Sequence, residues 1–387
     1  MRYRRFGKTN LHLSVFSLGT MRYLESRETA IATTVKAVEM GINHFETARG
    51  YGNSEIYLGA AIEEIVRGGK GSKLARDRLH ITTKLPPVGD AAVIERCIDQ
   101  SLERLGVDYI DALAIHGINK PSHLEWVLNS PGMEAIRQAI ADRRVRHLGF
   151  STHGSLDLIQ ATIETDLFEF VNLHYYYFFQ RNAPAVELAA QKDMGVFIIS
   201  PADKGGRLHN PPDPLKKLCH PFSPLGLNYR FLLSNRAITT LSFGAATPEE
   251  LHSLDRHLPL RALDWCHLPL TEAERAAIAR LERQAQTALG SDKCSQCYAC
   301  LPCPEEIHIP EVLRLRNLAV AYQMTDYSQY RYGMFENAGH WFPGRKGNRC
   351  TECGDCLPRC PEQLDIPQLL QDTHDRLKGK AGRRLWG

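Results

Sequence analysis

Residues 41–62 read GINHFETARGYGNSEIYLGAAI, and they combine a strand pattern with a turn that carries reactive side chains. The strand candidate HFETA (44–48) has Glu46 near its end, and Tyr51 follows in the glycine-flanked turn RGYGNSE. In barrels of parallel strands, catalytic residues lie where strands end and loops begin. The stretch therefore predicts one strand of such a barrel, with Glu46 and Tyr51 at its functional end.

The same organisation extends from residue 12 to about residue 255, where short apolar runs alternate with amphipathic stretches of helical period. The strand candidates are VFSLGT (15–20), HFETA (44–48), LHITTKL (79–85), IDALAIHG (110–117), HLGFST (147–152), FVNLHY (170–175), GVFIISP (195–201) and TTLSFGA (239–245). Eight strands with helical crossovers predict an α/β chain built as a (β/α)8 TIM barrel. A doubly wound sheet is the alternative, and it is weakened because no strand is followed by a G-x-G-x-x-G turn.

Composition and charge limit the class of protein. The net charge of +3 comes from interspersed residues, which argues against a nucleic-acid binder. The amino terminus has no apolar secretory region, and no run approaches the roughly 18 apolar residues of a membrane span. We therefore expect a cytoplasmic protein without membrane contact, in which thiols stay reduced and clustered cysteines indicate metal.

Two further strands end in reactive groups, Lys84 and His116. Because neighbouring strands lie side by side, these two residues and the pair Glu46 and Tyr51 are expected to meet at one mouth of the barrel. A lysine ammonium beside a phenol favours the phenolate and lowers the tyrosine pKa. A carboxylate would orient the lysine, and a histidine could donate a hydrogen bond to a substrate carbonyl.

The 41–62 motif resembles the signature of the aldo-keto reductases, and TTKL (82–85), His116 and GFSTH (149–153) follow in the family's order. The resemblance covers most of residues 3–260. It implies interconversion of a small-molecule carbonyl and an alcohol with NADP(H) or NAD(H). Tyr51 would protonate the carbonyl oxygen, Lys84 with Glu46 would tune Tyr51, and His116 would orient the carbonyl.

The resemblance also implies the residues that bind the nucleotide. Ser151 and Asn172 match positions that hold the carboxamide, and Ser200 matches the segment beside the nicotinamide. The loop GAATPEEL (244–251) matches the segment over the adenosine end, with Gly244, Ala245, Thr247 and Glu250 as candidate contacts.

Three positions depart from the family pattern. Glu46 stands where Asp is usual, and Ile199 replaces a stacking aromatic residue. The stretch 244–254 has no Lys or Arg for a 2′-phosphate, and it carries Glu249 and Glu250. The family's frequent use of NADP is the reason to favour that nucleotide slightly, and NAD stays open.

Eight of the eleven cysteines lie in two short runs near the end of the chain. Cys350, Cys353, Cys356 and Cys360 follow C-x2-C-x2-C-x3-C-P, the ferredoxin spacing for a 4Fe–4S cluster. Cys294, Cys297, Cys300 and Cys303 form a less regular run with one residue fewer before the last cysteine. Zinc more typically uses two C-x2-C pairs separated by a longer loop, and disulfides are not expected in the cytoplasm.

The tail resembles the helical type of two-cluster ferredoxin that is attached to some aldo-keto reductases. Each run is followed by Ile-Pro, at residues 309–310 and 366–367, which suggests that a helix starts after each cluster. By the resemblance, Cys294, Cys297, Cys300 and Cys360 would hold one cluster, and Cys350, Cys353, Cys356 and Cys303 the other. We expect two clusters, or one if the irregular run binds none. The predicted domains are residues 1–290, the barrel, and 291–387, a small mainly helical ferredoxin-like iron–sulfur domain.

These features favour an NAD(P)H-dependent oxidoreductase whose clusters serve electron transfer, redox sensing or structure. A hydride carries two electrons and each cluster moves one, which favours separate roles, since no flavin motif is visible. The alternatives are a non-enzymatic redox or nucleotide sensor and an electron-transfer module for a partner enzyme. A redox protein is then an additional expected partner, with the basic stretches 344–349 and 376–387 as its candidate docking patch, unless these are only solvated surface.

Overall fold

The computed structural model of the chain describes residues 1–23, 26–68, 74–257 and 268–379. Its strands are β1 (Tyr3–Arg5), β2 (His12–Ser14), β3 (Phe16–Gly19), β4 (His44–Glu46), β5 (His80–Leu85), β6 (Ile110–His116), β7 (Val145–Ser151), β8 (Phe170–Leu173), β9 (Gly195–Ile198) and β10 (Thr240–Phe243). Its α-helices are α1 (Arg27–Glu39), α2 (Ser54–Arg67), α3 (Ala91–Leu105), α4 (Pro121–Asn129), α5 (Pro131–Ala141), α6 (Leu156–Glu164), α7 (Ala183–Gln191), α8 (Asp213–Cys219), α9 (Pro224–Ser234), α10 (Pro248–His257), α11 (Glu272–Leu289), α12 (Ile309–Tyr322), α13 (Thr325–Tyr332) and α14 (Ile366–Leu377). None of the helices within the described residues is both long and apolar enough to span a bilayer.

Strands β3 to β10 form a closed parallel barrel in the order β10-β3-β4-β5-β6-β7-β8-β9. Seven of the eight predicted runs contain one of these strands, and the eighth, 147–152, overlaps β7, which begins two residues earlier at Val145. The predicted TIM barrel is therefore confirmed, and the alternative of a doubly wound open sheet is wrong.

An antiparallel hairpin of β1 and β2 precedes the barrel and was not predicted from the sequence. Its neighbourhood contributes Phe6 and Leu13 to a buried cluster that includes Phe170 and Phe197. The Phe6 ring fills the space that a side chain at Gly195 would need. Because Gly195 begins β9, the hairpin packs at the amino ends of the barrel strands and leaves the carboxyl ends to the candidate site.

Strand register places the candidate residues at neighbouring carboxyl ends. Lys84 of β5 lies opposite Ala114 of β6. His116 at the end of β6 lies opposite Ser151 of β7, and Ser151 lies opposite Asn172 of β8. The pairing of adjacent strands thus arranges the candidates from successive strands around one mouth of the barrel.

The chain divides into two compact units, residues 1–201 with 229–269 and residues 202–228 with 270–387. The first unit contains the barrel. The second includes α11 and a segment that leaves the barrel chain after β9, so the contacts do not divide the chain at the predicted boundary of residue 290. The domain limits 1–290 and 291–387 accordingly stay a prediction.

Helix starts in the second unit follow the sequence closely. Helix α11 begins with a capping box in which the Thr271 side chain accepts from the Glu274 amide and the Glu274 carboxylate accepts from the Thr271 amide. Helices α12 and α14 both begin with Ile-Pro. Proline suits the first turn of a helix because the N–H that it lacks would have no partner within the helix there. The duplicated Ile-Pro pattern therefore marks the two helix starts that the sequence suggested.

Candidate active site and cysteine cavities

Lys84 lies at the centre of the barrel site. Its ammonium group contacts the Glu46 carboxylate, and the two side chains are 2% and 6% exposed. Lys84 Nζ also donates to the Thr47 carbonyl oxygen at 2.7 Å and to Tyr51 Oη at 3.2 Å. Glu46 therefore reaches Lys84 despite the methylene that distinguishes it from aspartate.

Burial lowers the Lys84 pKa, and the adjacent Glu46 charge opposes this effect by raising it. The net direction is downward. A lysine in this environment is held charged by its carboxylate partner rather than by water, because both groups are removed from solvent.

A group of buried hydroxyls supports the Lys84 contact and was not identified from the sequence. Ser54 Oγ lies 2.6 Å from Thr20 Oγ1 and 2.8 Å from Thr47 Oγ1. Thr20 Oγ1 also donates to the Glu46 carbonyl oxygen at 3.1 Å. These bonds hold the backbone that carries Glu46 and the Thr47 carbonyl, and so they fix two of the partners of Lys84.

Tyr51 Oη lies within hydrogen-bond distance of Lys84, and the Tyr51 ring meets the His116 ring edge-on with centroids 5.7 Å apart. Burial raises the Tyr51 pKa well above its ordinary value, and the Glu46 charge raises it further. The expectation that Lys84 lowers this pKa is wrong for the chain as it stands, because desolvation and the nearby carboxylate dominate. Tyr51 is therefore a protonated phenol at neutral pH.

Ser151 and Asn172 lie beside each other at the ends of β7 and β8. Ser151 Oγ accepts from the Gly117 amide at 3.0 Å. Asn172 is fully buried, and neither its amide nitrogen nor its amide oxygen has a hydrogen-bond partner among the described residues. An unpaired buried amide costs about 1–3 kcal/mol per group, and a carboxamide could satisfy both atoms by offering one donor and one acceptor. The residues present thus fit a nicotinamide.

The remaining nucleotide candidates lie on loops after β9 and β10. Ser200 has a left-handed backbone, with φ of 53°. Ala245 is buried, and Gly244 is exposed. Thr247 hydrogen-bonds the Glu249 carboxylate. The pKa of this exposed carboxylate is lowered mainly by its hydrogen bond to the Glu249 backbone amide, and the Thr247 bond lowers it further. The structure gathers Gly244, Ala245 and Thr247 in one loop.

Glu250 has a cationic partner that the sequence did not reveal. Arg22, from the loop after β3, forms two bonds to the Glu250 carboxylate, of 2.6 and 2.9 Å. Arg22 also donates to the Gly244 carbonyl oxygen at 2.9 Å. The stretch 244–254 lacks a cation in its own sequence, but Arg22 supplies one from a distant segment. Only the adjacency of β3 and β10 in the closed barrel, which brings the loops after these strands together, could have indicated this contact.

The eight clustered cysteines line two cavities in the second unit. One cavity is lined by Cys303, Cys350, Cys353 and Cys356, and another by Cys294, Cys297, Cys300 and Cys360. Each cavity thus combines three cysteines of one run with the last cysteine of the other. This grouping agrees with the pairing implied by the ferredoxin resemblance.

The two runs are arranged alike around their cavities. The second cysteine of each run, Cys297 or Cys353, is exposed, and the third, Cys300 or Cys356, is buried. The shorter spacing of the first run does not leave its cavity with three cysteines, because Cys360 is the fourth. The ten cysteines that the structure describes are all free, and Cys266 lies outside the described residues.

The donor set suits an iron–sulfur cluster. Four thiolates around a cavity are the usual ligands of a 4Fe–4S group. Across the described ranges, no three His, Cys, Asp or Glu side chains are gathered closely enough for a single metal ion.

The basic stretch 344–349 is partly neutralised within the second unit. Arg349 Nε donates to the Glu336 carboxylate at 2.9 Å, and Arg345 lies 3.4 Å from the Glu306 carboxylate. These pairs reduce the case for a cationic docking patch at 344–349. The last part of the other basic stretch, 380–387, lies outside the described residues.

Comparison with protein families gives two matches. The model of the Aldo/keto reductase family matches residues 16–253, and that of the 4Fe-4S dicluster domain matches residues 293–364. The first match spans more than half of the chain, and the second contains all eight clustered cysteines.

Individual relatives are more distant. The uncharacterized oxidoreductase YrpG of Bacillus subtilis is 26% identical over 230 residues, covering 54% of this chain and 68% of that protein. The L-glyceraldehyde 3-phosphate reductase of Escherichia coli is 29% identical over 166 residues, covering 40% of this chain and 46% of that protein. The holo form of aldo-keto reductase AKR11C1 from Bacillus halodurans has a TM-score of 0.59 at 21% identity, covering 72% of this chain and 96% of that one. This last similarity supports the fold.

Proposed function

Because the chain belongs to the aldo/keto reductase family and carries a 4Fe-4S dicluster domain, we propose that its barrel interconverts a small carbonyl compound and an alcohol with NAD(P)H. The observation that carries the proposal is the buried Lys84, which contacts Glu46 and donates to the hydroxyl of a protonated Tyr51. In this arrangement Tyr51 is the proton donor, and the phenolate that it leaves would lie beside the Lys84 ammonium.

Reduced nicotinamide supplies a hydride to the carbonyl carbon when it is bound. Tyr51 gives its hydroxyl proton to the carbonyl oxygen, and the product is the alcohol. Lys84 Nζ, 3.2 Å from Tyr51 Oη, stabilises the phenolate that remains until solvent returns the proton. His116, whose ring meets Tyr51 edge-on, orients the carbonyl.

Asn172 and Ser151 are the proposed partners of the nicotinamide carboxamide. The support is the unsatisfied amide of Asn172, since binding would replace two missing hydrogen bonds in a buried position. Ser200, Gly244, Ala245, Thr247 and Glu250 are proposed contacts of the same nucleotide, on the strength of the family resemblance.

The choice between NADP(H) and NAD(H) depends on Arg22 and Glu250. Arg22 could bind a 2′-phosphate, but Glu250 already neutralises it. Both side chains are about 40% exposed, so their ion pair is weak and can be exchanged at small cost. The site therefore accepts either nucleotide, and the pair limits the advantage that a 2′-phosphate would otherwise have.

The two cysteine cavities are proposed to hold one 4Fe–4S cluster each, with the mixed ligand sets described above. Each set joins residues about 50 to 65 positions apart in sequence, so cluster assembly would tie the two runs together. Because the barrel chemistry needs a two-electron carrier, we assign the clusters a role separate from hydride transfer.

The test is turnover of the anaerobically purified, iron-replete chain. Oxidation of NADPH and NADH is followed with a panel of aldehydes and ketones that includes L-glyceraldehyde 3-phosphate, the substrate named for one relative. Reduction of any panel member supports the proposal. Nucleotide binding without turnover across the panel would instead support the sensor reading, in which the barrel is a binding platform.

A further inference from the structure

A chain of hydrogen bonds crosses the carboxyl ends of β7, β8 and β9. His153 Nδ1 lies 3.1 Å from His174 Nε2. His174 Nδ1 is hydrogen-bonded to Tyr176 Oη, and Tyr176 Oη donates to the Ile199 carbonyl oxygen. Three segments that follow separate strands are thus joined through side chains that the proposed mechanism does not use.

The direction of donation in this chain follows from counting protons. The single hydroxyl proton of Tyr176 is given to the Ile199 carbonyl, so His174 Nδ1 must be the donor to Tyr176 Oη. When His174 is neutral, its Nε2 is an acceptor, and His153 Nδ1 can donate to it. The chain then ends on a backbone carbonyl.

Burial makes these bonds matter. Tyr176 is 1% exposed and His174 is 9% exposed. Buried polar groups that lose a partner cost about 1–3 kcal/mol each. The removal of the Tyr176 hydroxyl would take one hydrogen-bond partner from the His174 ring and one from the Ile199 carbonyl oxygen, so the constraint on the local backbone would be weakened.

The end point of the chain is a constrained turn. The Ile199 amide donates to the Leu173 carbonyl oxygen at 3.1 Å, so Ile199 is held on both sides of its peptide unit. Ser200 follows with φ of 53°, a left-handed conformation that is costly for any residue other than glycine. Such a conformation persists only where its surroundings fix it.

We propose that Tyr176, oriented by His174 and His153, is a positioning residue that fixes the Ile199–Ser200 turn as the face on which the nicotinamide ring rests. The inference rests on the proposed function. The aliphatic side chain of Ile199 cannot orient the nicotinamide ring by aromatic stacking. The position of Ile199 must therefore be set through its backbone. The hydrogen-bonded chain provides that constraint.

The experiment compares Tyr176→Phe with the matched control Tyr175→Phe, which removes a hydroxyl from the neighbouring buried tyrosine that packs on Phe231. Dissociation constants for NADPH, NADH, ADP-ribose and its 2′-phosphate are measured by titration of protein fluorescence. ADP-ribose lacks the nicotinamide, so it reports on the rest of the nucleotide site. In Tyr176→Phe we expect a roughly 5- to 10-fold weaker affinity for the nicotinamide nucleotides, the size of one lost hydrogen bond, with ADP-ribose affinity unchanged.

A second pair of variants tests the relay itself. His174→Asn keeps an N–H donor near the position of Nδ1 and should retain most of the nicotinamide affinity, whereas His174→Leu should lose it as Tyr176→Phe does. Wild-type affinity in Tyr176→Phe, or equal weakening for ADP-ribose, would overturn the inference while leaving the proposed function intact. A wild-type chain that binds ADP-ribose but neither NADPH nor NADH would overturn the proposed function, and this inference with it.

Discussion

Lys84 and Glu46 form an ion pair in which both side chains are almost completely removed from solvent. The longer glutamate side chain meets the lysine because β4 and β5 are adjacent and Glu46 ends its strand. The substitution of glutamate for the family's usual aspartate therefore preserves the contact between carboxylate and lysine.

Replacement of Glu46 tests the importance of this pair. Glu46→Gln keeps the size of the side chain and removes its charge, so Lys84 loses the group that raises its pKa. We expect roughly 100-fold slower turnover. We also expect a loss of about 3 kcal/mol in the free energy of unfolding, measured by urea denaturation, since a buried charge is left uncompensated. Glu46→Asp is the control, and partial activity in this variant would show that the charge of the side chain matters more than its length. Full activity in Glu46→Gln would contradict the role of the ion pair.

The direction of the Tyr51 pKa shift predicts how the rate depends on pH. Burial and the Glu46 charge raise this pKa, so the phenol stays protonated through the neutral range. Carbonyl reduction needs the protonated form, and its rate should be flat from about pH 6 to 9 and fall only above the raised pKa. Alcohol oxidation needs the phenolate and should accelerate as the pH rises. Steady-state profiles in both directions check this, and a reduction rate that falls between pH 6 and 8 would argue against Tyr51 as the acid.

The Arg22–Glu250 pair predicts a change in nucleotide preference. Glu250→Gln removes the carboxylate that neutralises Arg22, which becomes available to a 2′-phosphate. We expect the ratio of NADPH to NADH affinity to rise by roughly 3- to 10-fold, a moderate change because the pair is exposed. Arg22→Gln should shift the ratio the other way. Glu249→Gln serves as the matched control, and an unchanged ratio in both test variants would show that the pair lies away from the 2′ position.

The crossed cysteine sets predict the iron content of double variants. Loss of Cys303 should remove the cluster of the 350–356 cysteines, and loss of Cys353 should remove the same cluster. Cys303→Ala with Cys353→Ala should therefore keep about four of about eight iron atoms, whereas Cys303→Ala with Cys297→Ala should keep almost none. Iron and sulfide assays with electron paramagnetic resonance measure this, and Cys97→Ala is the control. The opposite result would mean that each run binds its own cluster.

The sequence predicted the features that depend on local patterns. Eight strand runs and the two Ile-Pro helix starts follow from residue order and spacing, and each lies where the sequence indicated. Glu46, Lys84 and Tyr51 were also expected to meet, because parallel strands bring their carboxyl ends together.

The features that were missed depend on contacts between distant segments. Arg22 and Glu250 are 228 positions apart, and nothing in the sequence around either residue indicates a contact with the other. The buried hydroxyls of Thr20, Thr47 and Ser54 look like ordinary polar residues in sequence. The direction of the Tyr51 pKa was misjudged for the same reason, since it depends on how far the folded chain excludes water from the hydroxyl.

The most direct test of the account is the rate at which the Tyr51→Phe variant oxidises NADPH or NADH with a carbonyl compound that the wild-type chain reduces. The variant keeps the ring against His116 and removes only the proton donor. The account predicts a rate lower by roughly 100- to 10,000-fold, with nucleotide affinity and iron content unchanged. A rate within about tenfold of the wild type, at normal nucleotide affinity, would contradict the assignment of Tyr51 as the general acid.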